Sequence, residues 1–130
     1  MDCSVKYNTV YIKVDNFYNQ INTNYNLLKS QQITVYEFKS DLDKMESELK
    51  SAIFALDKLI TPNGLNYQFS VDYLKFSAEC GLSALCAFRN IATNPNMTYM
   101  NSFEDNIIKG INAKNASMEY VQSIKKQIRE

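Results

Sequence analysis

The apolar residues of this chain recur with the period of an α-helix over most of its length. Near the start, steps of three and four residues alternate, which places the positions on one helical face. These positions are Tyr7, Val10, Val14, Phe17, Ile21, Asn24 and Leu28, of which Asn24 alone is polar. The β-branched and aromatic residues at 5–14 would also suit an extended segment. The pattern therefore predicts a first helix over approximately 10–30.

The second helix carries a recognisable start signal. Thr34 and Glu37 form a capping box, and Ile33 and Phe38 have the spacing of a hydrophobic staple. The apolar positions that follow keep a strict heptad spacing. They are Val35, Phe38, Leu42, Met45, Leu49, Ala52, Leu56 and Leu59. Pro62 and Gly64 are helix-breaking residues, so we expect a helix over approximately 34–60.

The third predicted helix, over approximately 68–93, is apolar on most sides. One stripe comprises Val71, Leu74, Ala78, Gly81, Leu85, Phe88 and Ala92. A second stripe comprises Phe69, Tyr73, Phe76, Cys80, Ala84, Ala87 and Ile91. Because a helix of a four-helix bundle normally keeps one side in water, this helix has more apolar surface than three neighbours would cover. We expect it to be the most buried helix.

A fourth helix is predicted over approximately 100–129, starting between Thr98 and Ser102. Glu104 and Asp105 suit the positive end of its dipole, and Lys125, Lys126 and Arg129 suit the negative end. The connections between the four helices are short, which favours antiparallel neighbours. The sequence therefore predicts an all-α fold, an antiparallel four-helix bundle with up-down-up-down topology, as a single domain over 1–130.

The composition excludes several classes of function. The chain has no histidine, which removes histidine-based catalysis and the commonest metal ligand. The acids on the second helix, Asp41, Asp43, Glu46 and Glu48, lie off its apolar stripe and are expected to face water. Lys and Arg number 14, as do Asp and Glu, so no overall basic surplus favours nucleic acid. We therefore expect no catalytic, cofactor-binding or metal site. The sequence also contains no run of about 18 apolar residues, so no membrane span is predicted.

The cysteines indicate the compartment. Their odd number and their spacing do not suggest a disulfide framework, so Cys3, Cys80 and Cys86 are interpreted as packing residues of a cytoplasmic protein. The alternative is an extracytoplasmic lipoprotein bundle tethered through Cys3. Arg89, near the end of the third helix, is expected to bind the last carbonyls of that helix or an acidic side chain.

The leading functional hypothesis is a small non-catalytic interaction or regulatory protein acting through helix–helix contacts. It would form a homodimer or bind a helical protein partner through the surplus apolar surface of the third helix and through tyrosines of the first. The candidate interface residues are Tyr11, Tyr18, Phe76, Cys80, Leu82 and Cys86. The alternative is a carrier that holds a hydrophobic small molecule in the bundle core, lined by Phe69, Phe76, Cys80, Met45 and Phe54.

Overall fold

The structure, a computed structural model, describes residues 3–30, 35–61, 67–93 and 96–129. Within them, side chains are described except at 35–38, 92–93 and 127–129. Four helices account for nearly all of these residues, and none of the described residues forms a strand. The helices are α1 (Cys3–Lys29), α2 (Val35–Asp57), α3 (Tyr67–Thr93) and α4 (Met97–Arg129). The prediction of an all-α four-helix bundle is confirmed.

Two helices begin earlier than the sequence pattern suggested. α1 is helical from Cys3, because Tyr7 and Val10 extend its buried stripe and their packing outweighs the β propensity of this segment. α4 begins at Met97, where the Asn96 side-chain oxygen accepts a hydrogen bond from the Tyr99 amide at 3.1 Å. Asn96 is therefore the N-cap of α4.

The predicted start signals of α2 lie outside the described side chains. These are the capping box of Thr34 and Glu37 and the staple of Ile33 and Phe38.

The antiparallel course of α3 and α4 follows from two hydrogen bonds between them. The Ser77 hydroxyl donates to the Gly110 carbonyl at 2.7 Å, and the Ser117 hydroxyl donates to the Ser70 carbonyl at 2.6 Å. Residue numbers increase along α3 while those of the bonded residues on α4 decrease, so the two helices are antiparallel.

The ion pairs between α2 and α3 show that these two helices are antiparallel as well. Asp57 at the end of α2 pairs with Lys75, and Asp43 near its start pairs with Arg89.

The first and third helices run parallel. The ring of Tyr7 lies 5.9 Å from that of Tyr67, and the ring of Tyr25 lies 6.4 Å from that of Phe88. Together with the antiparallel neighbours, this gives an up-down-up-down bundle. The diagonal helices α1 and α3 approach each other closely. In the described part of the chain, no Cα atom of α2 lies within 8 Å of a Cα atom of α4.

The core is concentrated around α3, about half of whose described side chains are buried. Its largest contact is with α4, through small residues that let the two backbones approach closely. The small buried residues that bond across this contact are Ser70 and Ser77 on α3, and Gly110 and Ser117 on α4. The prediction that the third helix is the most buried is confirmed.

None of the helices, over the residues described, is both long enough and apolar enough to cross a bilayer.

Candidate interaction surface

Two tyrosines of α1 reach through the core to the seam between α3 and α4. The Tyr18 hydroxyl donates to the Ser77 carbonyl at 2.5 Å, and the Tyr7 hydroxyl lies 2.5 Å from the Ser117 hydroxyl oxygen. Because Ser117 gives its one hydroxyl hydrogen to Ser70, Tyr7 must be the donor to Ser117. Each tyrosine thereby bonds to a serine residue that itself donates a hydrogen bond across the α3–α4 seam, so two buried hydrogen bonds link three helices.

The buried environment of these tyrosines keeps their hydroxyl groups protonated. Burial raises the pKa of Tyr7 and of Tyr18 well above its ordinary value, although the hydrogen bonds to Ser117 and Ser77 oppose the shift. Burial, followed by the hydrogen bond to Glu104 and its negative charge, raises the pKa of Tyr25 to about 12. At neutral pH all three are neutral hydrogen-bond donors.

The six predicted interface residues do not form one surface. Tyr18 is 1% exposed and Cys80 is 5% exposed, so both belong to the core instead of to an outer face. Leu82 is half-buried and packs against the core. The reason is that an apolar residue beside the main stripe of a helix is covered when a neighbouring helix lies on that side.

The remaining predicted residues lie apart from each other. Tyr11 is half-buried and its ring stacks on that of Tyr7, with centroids 6.1 Å apart. Cys86 is exposed, towards the other end of α3. Phe76 is 48% exposed and belongs to a surface that the sequence analysis did not assemble.

That surface, here named the aromatic face, consists of Phe69, Tyr73 and Phe76 on α3 and Tyr120 on α4. The exposed fractions of these four residues are 52%, 39%, 48% and 37% in that order. The Tyr120 ring lies between two others, with centroids 5.8 Å from Phe69 and 5.6 Å from Tyr73. The rings of Phe69, Tyr73 and Tyr120 cover parts of each other and leave the remainder open to solvent.

The aromatic face continues a stripe whose other half is buried. Beyond Phe76 the same stripe of α3 runs through Cys80, Ala84 and Ala87, all of which are buried. Where the stripe is made of small residues it is covered, and where it is aromatic it is open. The third helix therefore does carry apolar surface that the rest of the bundle leaves uncovered.

Of the four members, only Phe76 was among the predicted interface residues. Phe69 and Tyr73 were placed on an apolar stripe of the third helix, whereas Tyr120 was not singled out. The place of Tyr120 beside Phe69 depends on the axial register of α3 against α4. That register is fixed by the bonds of Ser77 to Gly110 and of Ser117 to Ser70, which are not signalled by sequence periodicity.

The residues predicted to line a ligand cavity are not brought together. Phe54, Phe69 and Phe76 are exposed, whereas Met45 and Cys80 are buried. The space beside Gly81 in α3 is filled, since a Cβ there would lie 2.8 Å from the Phe17 ring and 2.9 Å from Leu49. The small residues of α3 serve close packing instead of making room for a hydrophobic molecule.

An open groove of about 440 Å³ runs between α1 and α2 and is polar. Its lining residues are Asn19, Gln20, Thr23, Asn24, Asp41, Lys44, Met45 and Glu48. It includes Asn24, the polar member of the α1 stripe, and its chemistry is unsuited to an apolar ligand.

Two cations of α3, Arg89 and Lys75, pair with carboxylates of α2. Arg89 lies 2.8 Å from the Asp43 carboxylate and 3.9 Å from that of Glu46, which confirms its predicted pairing with an acid. Lys75 lies 2.7 Å from Asp57, whose hydrogen bond and negative charge raise the pKa of Lys75. No group of three potential metal ligands occurs within the described ranges.

The cysteines form no disulfide among the residues described. Burial raises the pKa of the Cys80 thiol, which disfavours the nucleophilic thiolate.

Comparison of the chain with known protein families, with curated proteins and with solved structures found no match. The aromatic face is thus the feature on which a function can be argued.

Proposed function

We propose that this protein is a non-catalytic interaction protein that binds a helical protein surface, in a partner or in a second copy, through the aromatic face. The observation that carries the proposal is the cluster of Phe69, Tyr73, Phe76 and Tyr120, each more than a third exposed. Aromatic residues are enriched at protein interfaces because they combine large area with little conformational freedom.

The size of the face supports an interface. A fully buried aromatic side chain covers about 150–250 Å², so four that are about half-exposed leave roughly 350 Å² of ring surface in water. The largest apolar patch of a typical monomer is about 300–600 Å² and is often functional. A standard interface buries about 800 Å² on each partner. The four rings have the size of an interface centre, around which polar residues would complete the contact.

The chemistry of the chain supports a binding role over a catalytic one. The sequence has no histidine, and the buried phenols and the Cys80 thiol have pKa values raised in the direction of their neutral forms. A reducing cytoplasmic setting is part of the proposal, because the described cysteines are free thiols and Cys80 lies in the core.

The test compares two phenylalanines of similar exposure. Phe76→Ser, combined with Tyr120→Ser, alters the aromatic face, and Phe54→Ser alters an exposed ring on α2 outside it. Native mass spectrometry and sedimentation of the protein, purified from its own cells, show whether it is a monomer, a dimer or a complex with another protein. We expect a dimer or a complex with a protein, lost in the Phe76 and Tyr120 variant and kept in Phe54→Ser.

Two results would overturn the proposal. One is a wild-type chain that remains a monomer without a protein partner at high concentration. The other is a monomer that carries a small hydrophobic molecule, which would instead favour the carrier. Circular dichroism of each variant shows whether the bundle is still folded.

A further inference from the structure

The helices of the bundle are held together by different kinds of polar bond. The buried hydrogen bonds of Tyr7 and Tyr18, with the serine bonds across the α3–α4 seam, join α1, α3 and α4 into one bonded set. Tyr25 near the end of α1 adds a hydrogen bond to Glu104 of α4 at 3.0 Å. These three helices are therefore tied to each other from inside the core.

The bonds that join α2 to α3 lie at the surface. Asp43 pairs with Arg89 towards one end of α2, and Asp57 pairs with Lys75 at the other. All four side chains are between 32% and 59% exposed. Exposed ion pairs contribute about 1 kcal/mol or less and are weakened by salt. Apolar packing therefore provides most of what holds α2 in place.

That packing is lighter for α2 than for α1. The buried side chains of α1 include four aromatic rings, those of Tyr7, Phe17, Tyr18 and Tyr25. Among the described side chains of α2, the buried ones are smaller and carry no ring. They are Leu42, Met45, Leu49, Ala52 and Leu56. Because a buried ring removes about 150–250 Å² from water, α1 buries the larger apolar surface.

The neighbours of α2 also enclose it incompletely. The polar groove of about 440 Å³ separates it from α1 along part of its length. On its other side, no Cα atom of α2 lies within 8 Å of one of α4 in the described part of the chain. The main support of α2 is α3, where Leu49 lies beside Gly81 together with Phe17 of α1.

From these differences we infer that α2 opens from the bundle as a unit while α1, α3 and α4 stay assembled. Opening breaks exposed ion pairs and one layer of apolar contacts, and it leaves the buried bonds of the other three helices in place. Because most of the stability of a helix in a protein comes from tertiary packing, a detached α2 loses its helical hydrogen bonds. The open state uncovers apolar surface of α1 and α3 around Phe17 and Gly81.

Amide hydrogen exchange of the full chain, followed by NMR in the absence of denaturant, tests this inference. One amide near the middle of each helix is compared, namely those of Phe17, Leu49, Ala84 and Ala113. After correction for intrinsic rates, we expect Leu49 to exchange at least about tenfold faster than the other three, because it needs only the local opening.

Two mild variants distinguish local from global opening. Ala52→Gly weakens α2, which is released in both kinds of opening, so exchange at Leu49 and at Ala84 should accelerate by the same factor, about fivefold. Tyr25→Phe removes a bond between α1 and α4 that survives the local opening. It should accelerate exchange at Ala84 by about twofold to tenfold and leave Leu49 unchanged. Circular dichroism shows that both variants are folded.

Two results would overturn the inference. Equal exchange at all four positions, with Tyr25→Phe accelerating Leu49 and Ala84 alike, would mean that α2 leaves only when the whole bundle unfolds. Joint rapid exchange of Phe17 and Leu49 would mean that α1 and α2 open together. Neither result bears on the proposed function, because the aromatic face lies on α3 and α4.

Discussion

The hydroxyl of Tyr18 on α1 occupies the space that a side chain on Gly110 of α4 would need. A Cβ at position 110 would overlap the hydroxyl and the ring of Tyr18. The glycine therefore makes room for a tyrosine that in turn bonds to Ser77 of α3. The Gly110 carbonyl accepts the hydrogen bond from the Ser77 side chain, so the three residues form one packed unit.

The first prediction follows from this overlap. Gly110→Ala should destabilise the fold by about 1–3 kcal/mol or more, although alanine in a helix is about 1 kcal/mol better than glycine. In a Tyr18→Ala background the same change should cost far less or stabilise. Urea unfolding of the two single variants and the double variant measures the coupling. Additive free energies would contradict the packing described.

The second prediction concerns Tyr7 and Ser117. Ser117→Ala removes the acceptor of the Tyr7 hydroxyl and leaves a buried donor without a partner, at a cost of about 1–3 kcal/mol. Adding Tyr7→Phe should recover part of that loss, because no orphaned hydroxyl then remains. Denaturant midpoints of the pair, with Ser123→Ala on the exposed side of α4 as a control, test this. A double variant less stable than Ser117→Ala would show that the tyrosine oxygen has another partner.

The third prediction is a loss of stability in alkaline solution. Burial raises the pKa of Tyr7 and Tyr18 above the ordinary value of 10.0, so the folded chain keeps phenolic protons that the unfolded chain releases. The contribution is complete below pH 10.0 and declines above it, by about 1.4 kcal/mol per pH unit for each tyrosine. Urea unfolding at increasing pH should show the decline, and Tyr18→Phe should reduce its slope. An unchanged slope would contradict the buried state of Tyr18.

The fourth prediction compares two ion pairs. Lys114 on α4 lies 2.6 Å from Asp15 on α1, and its side chain is only 11% exposed. Asp15→Asn leaves this cation buried without its partner and should cost about 2–3 kcal/mol. Asp57→Asn breaks the more exposed pair with Lys75 and should cost about 1 kcal/mol or less. Thermal unfolding of both variants tests the difference, and equal costs would contradict it.

How far sequence reasoning reaches depends on which force decides each feature. The four helices and their order could be predicted because the apolar period is repeated over many residues and is a local property of the chain. The early start of α1 at Cys3 could not, since the packing of Tyr7 and Val10 overrides the propensity of their segment. The pairing of Arg89 with an acid was predictable in kind, but its partner Asp43 lies on another helix.

The candidate site was predicted only in part for a related reason. The surplus of apolar residues on α3 is evident in the sequence, and Phe76, one of the predicted interface residues, is exposed. Tyr18 has the same apolar and aromatic character, yet it is 1% exposed because α3 and α4 are close enough for it to reach their seam. Tyr120 joins the aromatic face only through the register of its helix against α3. Distances between helices and axial register are properties of the packed bundle that a one-dimensional pattern does not contain.

The serines between α3 and α4 have a consequence for the way these helices can move. Small side chains interlock little between two helices, so packing alone gives little resistance to a shift of one helix along the other. Ser77 and Ser117 each bind a single carbonyl on the opposite helix, and the two bonds run in opposite directions across the seam. A displacement by one residue would break both at once, together with the tyrosine bonds that depend on them. The α3–α4 pair therefore has a single axial register in which all of these bonds form, and that register sets the position of Tyr120 against Phe69 and Tyr73.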